Sequence, residues 1–218
     1  MEKKIRKNPI KFKISLNEEQ RQAKGIIYNN DVTILTGLAG SGKSLLAAQV
    51  ALDMLFTGSI GKIIITRPTV TAGEDLGYMP GGIDEKLEPY MNGILNHMST
   101  LTDLNKLESL NEEGKIEIVP LGFMRGRNFS DVLVVVEEAQ NITHSQMELL
   151  LSRMCKESKM ILTGDINQID LKDKKNSGFA FACRFLIEVD GFALVELKTN
   201  HRHPIVAKIL EVYKQHEL

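Results

Sequence analysis

The residues from Gly37 to Ser44 match G-x-x-x-x-G-K-[ST], the spacing of a phosphate-binding loop, at every fixed position. The loop reads Gly37, Leu38, Ala39, Gly40, Ser41, Gly42, Lys43 and Ser44. Its glycines let successive backbone N–H groups turn inward around phosphate oxygens. Lys43 would reach the terminal phosphates, and the Ser44 hydroxyl would bind Mg²⁺. An apolar strand-like run precedes the loop and a helix-like segment follows it, which disfavours a chance glycine-rich turn. The pattern therefore predicts binding of a nucleoside triphosphate, with ATP and Mg²⁺ expected.

Two acids, Glu137 and Glu138, follow the apolar run Asp131–Val136. This order places both carboxylates at the carboxyl end of a buried strand, beside the phosphate loop. A Mg–ATP site needs one carboxylate for the metal's water shell and another to orient the attacking water. Glu137 and Glu138 are the candidates for these two roles, in that order. The alternative is a pair of solvated acids after a strand.

A further polar segment, Thr163 to Gln168, follows the apolar run Lys159–Thr163. If this strand lies between the loop strand and the acidic strand, Gln168 can sense a terminal phosphate, because glutamine both donates and accepts hydrogen bonds. From spacing alone, a simple turn at Gly164 and Asp165 is equally compatible.

Apolar runs alternate with segments of helical period, and this order is typical of a parallel sheet covered by helices on both faces. These elements would position the residues described above. Predicted strands are Val32–Leu35, Lys62–Thr66, Ile116–Pro120, Asp131–Val136, Lys159–Thr163 and Ala193–Leu197. Predicted helices are Glu18–Tyr28, Ser44–Phe56, Asp84–Ser99, Thr102–Leu110, one from Thr143 to about Met154, one capped by Ser177 that ends near Val189, and Ile205–Glu217. The sequence thus predicts an α/β fold with a doubly wound, mostly parallel sheet.

The composition fits one globular domain over residues 15–218, preceded by a basic extension over residues 1–14. With a net charge of −1, no global basic field indicates nucleic-acid binding. No apolar run reaches the ~20 residues that span a bilayer, and no apolar region of a signal peptide follows the basic start. The two cysteines, Cys155 and Cys183, have no metal-type spacing and are expected to be buried thiols. These features predict a cytoplasmic protein.

Seven segments together resemble the PhoH-like proteins, single-domain relatives of the superfamily 1 helicase ATPase core. They read TGLAGSGKS, TRPTVTAGEDLGYMPGGIDEKLEPY, PLGFMRGRNF, VVVEEAQN, LTGDINQIDL, SGFAFA and HRHPIV. The second segment is the most distinctive, because ordinary phosphate-loop enzymes lack it. The resemblance covers about Ser15 to Tyr213 and implies a RecA-like P-loop NTPase fold.

The resemblance also implies roles for individual residues. Gln20 would contact adenine, Glu138 would be the catalytic base, and Gln168 would sense the γ-phosphate. Arg202 would reach a triphosphate, and in a ring-shaped homo-oligomer, commonly a hexamer in this family, it would act on a neighbouring subunit. One position departs from the family pattern, since Glu137 stands where an aspartate is usual. That substitution leaves nucleotide binding to the loop but changes the metal's surroundings and the expected rate.

Three arginines, Arg67, Arg125 and Arg127, follow strands and have the planar fork that binds phosphate oxygens in pairs. Contact with nucleic acid and structural salt bridges are equally compatible with their positions.

The function that the resemblance implies is an ATPase that acts on or with RNA or a ribonucleoprotein, with single-stranded RNA or DNA as a partner. The alternative is a scaffold that assembles on ATP and regulates a partner nuclease. GTP is disfavoured because the sequence has no N-K-x-D motif.

Overall fold

The computed structural model describes residues 8, 10–68, 93–201, 205–206, 208–209 and 212. Its strands are β1 (Val32–Thr36), β2 (Lys62–Thr66), β3 (Ile116–Ile118), β4 (Val132–Val136), β5 (Lys159–Gly164) and β6 (Phe192–Glu196). Its helices are α1 (Glu18–Asn29), α2 (Lys43–Thr57), α3 (residues 93–101), α4 (Leu104–Glu112), α5 (His144–Leu151) and α6 (Gly178–Phe185). Residues 205, 206, 208, 209 and 212 are also helical. Most of the predicted helix Asp84–Ser99 lies outside the described residues.

The strands form one sheet in the order β3-β2-β4-β5-β1-β6. Every neighbouring pair is parallel, so the predicted α/β sheet is confirmed and is parallel throughout the described strands. β5 lies between β1 and β4, as the role proposed for Gln168 requires. Because the strands are parallel, their carboxyl ends meet at one edge, and the segments that follow them are brought together there.

Helices cover both faces of the sheet, each over its own apolar core. Alternate strand residues such as Leu133 and Val135 pack with α1, α2, α3 and α4 in the first core. The residues between them, such as Val132 and Val134, pack with α5 and α6 in the second. Near-continuous apolar strands are therefore explained by burial on both faces.

Three helix ends have well-formed caps. Asn17 accepts a hydrogen bond from the Gln20 N–H and forms a complete capping box on α1, and Thr143 does the same for α5 through Gln146. Gly58 ends α2 in the left-handed conformation, with φ of 76°. These caps satisfy backbone groups that a helix end leaves without an intrahelical partner.

The region after α5 differs from the prediction. The helix ends at Leu151 rather than near Met154, because the chain leaves it to pair with Phe129, whose N–H donates to Arg153 O and whose carbonyl accepts from Cys155 N–H. Cys155 is exposed on this segment, so its predicted burial is wrong.

None of the helices formed by the described residues is long and apolar enough to cross a bilayer.

Candidate functional site

A cleft of about 610 Å³ lies at the carboxyl edge of the sheet. Its walls come from the phosphate loop after β1, the acidic turn after β4, the turn after β5, the start of α1 and residue His201. The lining residues include Gln20, Gly40, Gly42, Lys43, Ser44, His97, Glu138, Thr163, Asp165, Gln168 and His201. Segments far apart in sequence thus meet where the parallel strands end.

The phosphate loop has the backbone that its glycines allow. Gly37, Gly40 and Gly42 have φ values of 142°, 86° and 86°, which residues with a Cβ rarely adopt. A Cβ on Gly42 would lie 2.7 Å from Gln20 Nε2, so the glycine also lets the start of α1 approach the loop. α2 begins directly after it, and a helix N-terminus is a favourable place for a phosphate.

Lys43 lies over the loop that it would serve. Its Nζ donates to Gly37 O at 2.6 Å and to Leu38 O at 3.1 Å. Two carbonyl oxygens of the loop itself therefore hold the ammonium group over the loop.

Glu137 is buried at the end of β4, with 8% of its surface exposed. The Ser44 hydroxyl lies close enough to its carboxylate to lower the pKa of that group, so the acidic turn lies beside the phosphate loop. Burial raises the pKa of this carboxyl, and this effect outweighs the Ser44 hydrogen bond and the charges of His97 and Arg67.

Glu138 is exposed on the cleft in the left-handed conformation, with φ of 50°. This backbone is unfavourable for a residue with a Cβ, and such strain is concentrated at functional positions. Its Oε2 accepts a hydrogen bond of 2.6 Å from Gln140 Nε2. The left-handed turn separates the two acids, so that Glu137 is buried against Ser44 and Glu138 faces the cleft.

The turn after β5 brings Asp165 and Gln168 to the same cleft. Asp165 is buried, and its Oδ1 accepts from the backbone and the side chain of Asn167 at 3.0 and 3.2 Å. Gln168 N–H donates to Asp165 O at 2.9 Å, and the Gln168 residue is exposed. The turn thus places Gln168 on the cleft, and its phosphate-sensing role stays a prediction.

Gln20 and His201 line the other end of the cleft. Gln20 is buried, and its Oε1 accepts from Asn17 N–H at 3.1 Å within the capping box. His201 N–H donates to Gly40 O at 2.9 Å, which ties the chain after β6 to the phosphate loop. The two side chains flank Gly42 at this end of the cleft.

The predicted arginines have different environments. Arg67 follows β2, close enough for its charge to oppose the rise that burial causes in the pKa of Glu137. Arg127 forms an ion pair of 2.5 Å with Glu117 on β3, in agreement with the salt-bridge alternative. Arg125 is exposed after a short 3₁₀ turn. Arg202 lies outside the described residues.

Sequence reasoning missed His97 and Gln140. His97 comes from α3, and nothing in its local sequence indicates that this helix passes beside Glu137. Gln140 lies inside the segment VVVEEAQN, two residues after Glu138, and this position in the motif is the one feature of the sequence that could have pointed to it. Its contacts with Glu138 depend on a turn that the periodicity does not specify.

The parallel sheet, the phosphate loop and the cleft at the strand ends define the class of protein as a RecA-like P-loop NTPase fold. The chain belongs to the PhoH-like protein family, whose family model matches residues 13–214. It is 44% identical over 196 residues to a PhoH-like protein of Bacillus subtilis, and the match covers 89% of this chain and 61% of that protein. The chain therefore spans about three fifths of this relative's length. The predicted family is confirmed.

Solved structures with much lower identity share the fold. The large terminase of a thermophilic bacteriophage has a TM-score of 0.58 at 8% identity, over 93% of this chain and 52% of that chain. The Pif1 helicase of Candida albicans has a TM-score of 0.51 at 15% identity, over 93% of this chain and 44% of that chain. At these identities the likeness concerns the fold alone.

Proposed function

We propose that this chain binds ATP with Mg²⁺ and hydrolyses it to ADP and phosphate. The observation that carries the proposal is the meeting of Lys43, Ser44, Glu138 and Gln168 on one cleft, although they follow three different strands. A chance loop motif gives no reason for an acid and an amide to converge on it. A carboxylate beside a phosphate-binding loop is the arrangement that water attack on a phosphoryl group needs.

The residues present fit a magnesium ion. Ser44 lies beside Glu137, and burial of the Glu137 carboxylate disfavours its charge, which a cation would compensate. Ser44 and Glu137 would hold the ion, directly or through its water shell. When bound, Mg²⁺ supplies positive charge to the β- and γ-phosphate oxygens.

In the proposed reaction Glu138 is the base. Its carboxylate orients a water whose oxygen forms a bond to the γ-phosphorus, while the bond from that phosphorus to the β–γ bridging oxygen breaks. One water proton goes to Glu138, and the released electron pair remains on ADP. Lys43 stabilises the charge on the phosphates, Gln168 contacts the γ-phosphate, and Gln20 contacts adenine. Arg202, supplied by a neighbouring subunit, would add charge during turnover.

Steady-state ATPase of the full chain tests the proposal. Lys43→Ala should reduce turnover by about 10²-fold or more, because a preorganised cation facing the transferred group is lost. Glu138→Gln should reduce turnover by about 10²–10⁴-fold while ATP binding is retained, because only the base is lost. Lys106→Ala, exposed on α4, is the matched control and should behave as wild type. Equal turnover in wild type and Lys43→Ala would contradict the proposal.

We also propose that the ATPase acts on or with single-stranded RNA or a ribonucleoprotein. Exposed Phe123, with 57% of its surface accessible, lies two residues from exposed Arg125. An aromatic ring and a guanidinium suit base stacking and phosphate contact. Turnover should rise when single-stranded RNA is added, and Phe123→Ala should reduce this stimulation without changing the basal rate.

A second candidate function is a scaffold that assembles on ATP and regulates a partner nuclease. Ile205, Ile209 and Val212 share one face of the closing helical residues and are all exposed, which favours an assembly surface. Mass measurement with and without ATP distinguishes the two candidates. Assembly on ATP without RNA stimulation would favour the scaffold.

A further inference from the structure

The 3₁₀ turn Ala139–Asn141, directly after Glu138, is hydrogen-bonded to the segment after β5. Gln140 is buried, with 1% exposed, and both ends of its amide have partners. Its Nε2 donates to Glu138 Oε2 at 2.6 Å, and its Oε1 accepts from Asp165 N–H at 3.3 Å. One side chain therefore connects the carboxylate after β4 to the backbone after β5.

Asn141 makes a second connection to the same segment. Its Nδ2 donates to Asp170 Oδ2 at 3.0 Å, and its Oδ1 accepts from Asp170 N–H at 2.7 Å. Gln140 and Asn141 thus hold residues 165 and 170, and Gln168 lies between these two points. We call this pair of contacts the Gln140–Asn141 clamp.

The surroundings of Gln140 leave its amide little freedom. Ser177 Oγ donates to Gln140 O at 2.8 Å and fixes the backbone of the turn. A Cβ on Gly164 would lie 2.9 Å from Gln140 Oε1 and 2.8 Å from the Phe179 ring, so the absent side chain makes room for the amide. A buried amide with both ends satisfied is costly to displace.

We propose that Gln140 is the positioning residue for the Glu138 carboxylate and that the Gln140–Asn141 clamp makes Glu138 and Gln168 move as one unit. This inference rests on the proposed ATP hydrolysis. The Gln140 amide occupies one Glu138 oxygen and leaves the other to accept the proton of the attacking water. It also restrains a side chain whose left-handed backbone is unfavourable.

The clamp connects Gln168, which would contact the γ-phosphate, to Glu138, the proposed base. When Gln168 gains or loses a γ-phosphate, a shift of the turn after β5 acts on Asp165 N–H and Asp170. Those groups are bonded to Gln140 and Asn141, so the shift reaches Glu138 through two side chains. Loss of the γ-phosphate would therefore withdraw the base from its productive position.

Gln140→Met tests the positioning role, because methionine keeps the length of the side chain and removes its hydrogen bonds. We expect kcat for ATP to fall by about 10–10²-fold, since a small displacement of a catalytic group has that effect. The Kd for a non-hydrolysable ATP analogue should stay within about twofold, because Gln140 does not line the cleft. An unchanged kcat would overturn the proposal.

A double variant separates positioning from general destabilisation. In the Glu138→Gln background, Gln140→Met should produce no further loss of kcat, because the group that it positions is already disabled. If the two losses multiply, Gln140 acts independently of Glu138 and the proposal fails. Gln146→Met is the matched control, since Gln146 caps α5 through Thr143. It should lower the Tm and leave kcat unchanged.

Asp170→Ala tests the other half of the clamp at an exposed residue, where a loss of folding is not expected. We expect kcat to fall about threefold to tenfold, while the Kd for the non-hydrolysable ATP analogue stays constant. A kcat equal to that of the wild type would show that the Asn141 contact has no part in positioning Glu138. Failure of the underlying function is distinguishable from failure of the clamp. In that case wild type and Lys43→Ala would hydrolyse ATP equally slowly, whereas failure of the clamp requires an active wild type.

Discussion

Asp53 on α2 and Glu137 at the end of β4 each expose only 8% of their residue surface, yet their carboxylates have opposite surroundings. Asp53 accepts hydrogen bonds from Asn8 at 2.5 Å and Tyr28 at 2.6 Å and forms an ion pair of 2.5 Å with Lys24. Burial raises its pKa, but these partners outweigh burial and lower the pKa below its ordinary value.

Glu137 has the opposite balance. Burial raises its pKa, and the Ser44 hydrogen bond and more remote charges do not compensate. A buried acid whose charge is fully compensated contributes to stability, whereas one whose charge is under-compensated costs stability and remains available to a ligand. We therefore propose that Asp53 on α2 is a structural carboxylate and that Glu137, beside the phosphate loop, is a functional one.

Glu137→Gln gives the largest expected effect in this comparison. Turnover of ATP should fall by about 10²–10³-fold, because a charged group of the proposed metal site is lost. The Tm of the nucleotide-free and metal-free protein should rise, because a buried charge is replaced by a neutral amide of the same size. ATPase assays and thermal unfolding in a chelating buffer measure the two changes. A lower Tm would show that Glu137 is a structural acid like Asp53.

Asp53→Asn should have the reverse profile. The amide places a donor against other donors, and we expect a loss of about 2–3 kcal/mol, since breaking a buried hydrogen-bonded ion pair is destabilising. The Tm should fall by roughly 5–10 °C, while kcat for ATP stays at the wild-type value. Thermal unfolding and ATPase assays check both outcomes, and a lower kcat with an unchanged Tm would contradict the structural role.

The same comparison shows what the sequence could predict. The parallel sheet, the phosphate loop and the capping boxes at Asn17 and Thr143 follow from local patterns, because periodicity and spacing encode them. Glu137 and Glu138 are adjacent in sequence, and no local pattern distinguishes their environments. The left-handed turn at Glu138 separates them. Gln140 then joins Glu138 to the segment after β5, which is distant in sequence. Similarly, the Asp53 cluster joins residues from three segments, and only the packing of α1 on α2 brings them together.

The smallest expected effect is the acid dependence of the Asp53 cluster. Its pKa is lowered from 3.8 in the folded protein, so the unfolded chain binds more protons at low pH and stability falls as the pH drops. The contribution of Asp53 to stability is complete when the pH is above the ordinary pKa of aspartate. It is lost as the pH falls through the lower pKa of the folded protein. The Tm difference between wild type and Asp53→Asn should therefore narrow as the pH falls from about 5 towards 2.

Lys24→Met sharpens this last prediction. The hydrogen bond from Lys24 is the largest of the contributions that lower the pKa of Asp53. Without it, the remaining partners oppose less of the rise in pKa that burial causes. The acid-induced loss of stability should then begin at a higher pH than in wild type, although the fold is retained. Thermal unfolding of the two proteins over the acid range measures the shift. Coincident profiles would mean that Tyr28 and Asn8 hold the Asp53 carboxylate without the lysine, and that its charge compensation is not what separates it from Glu137.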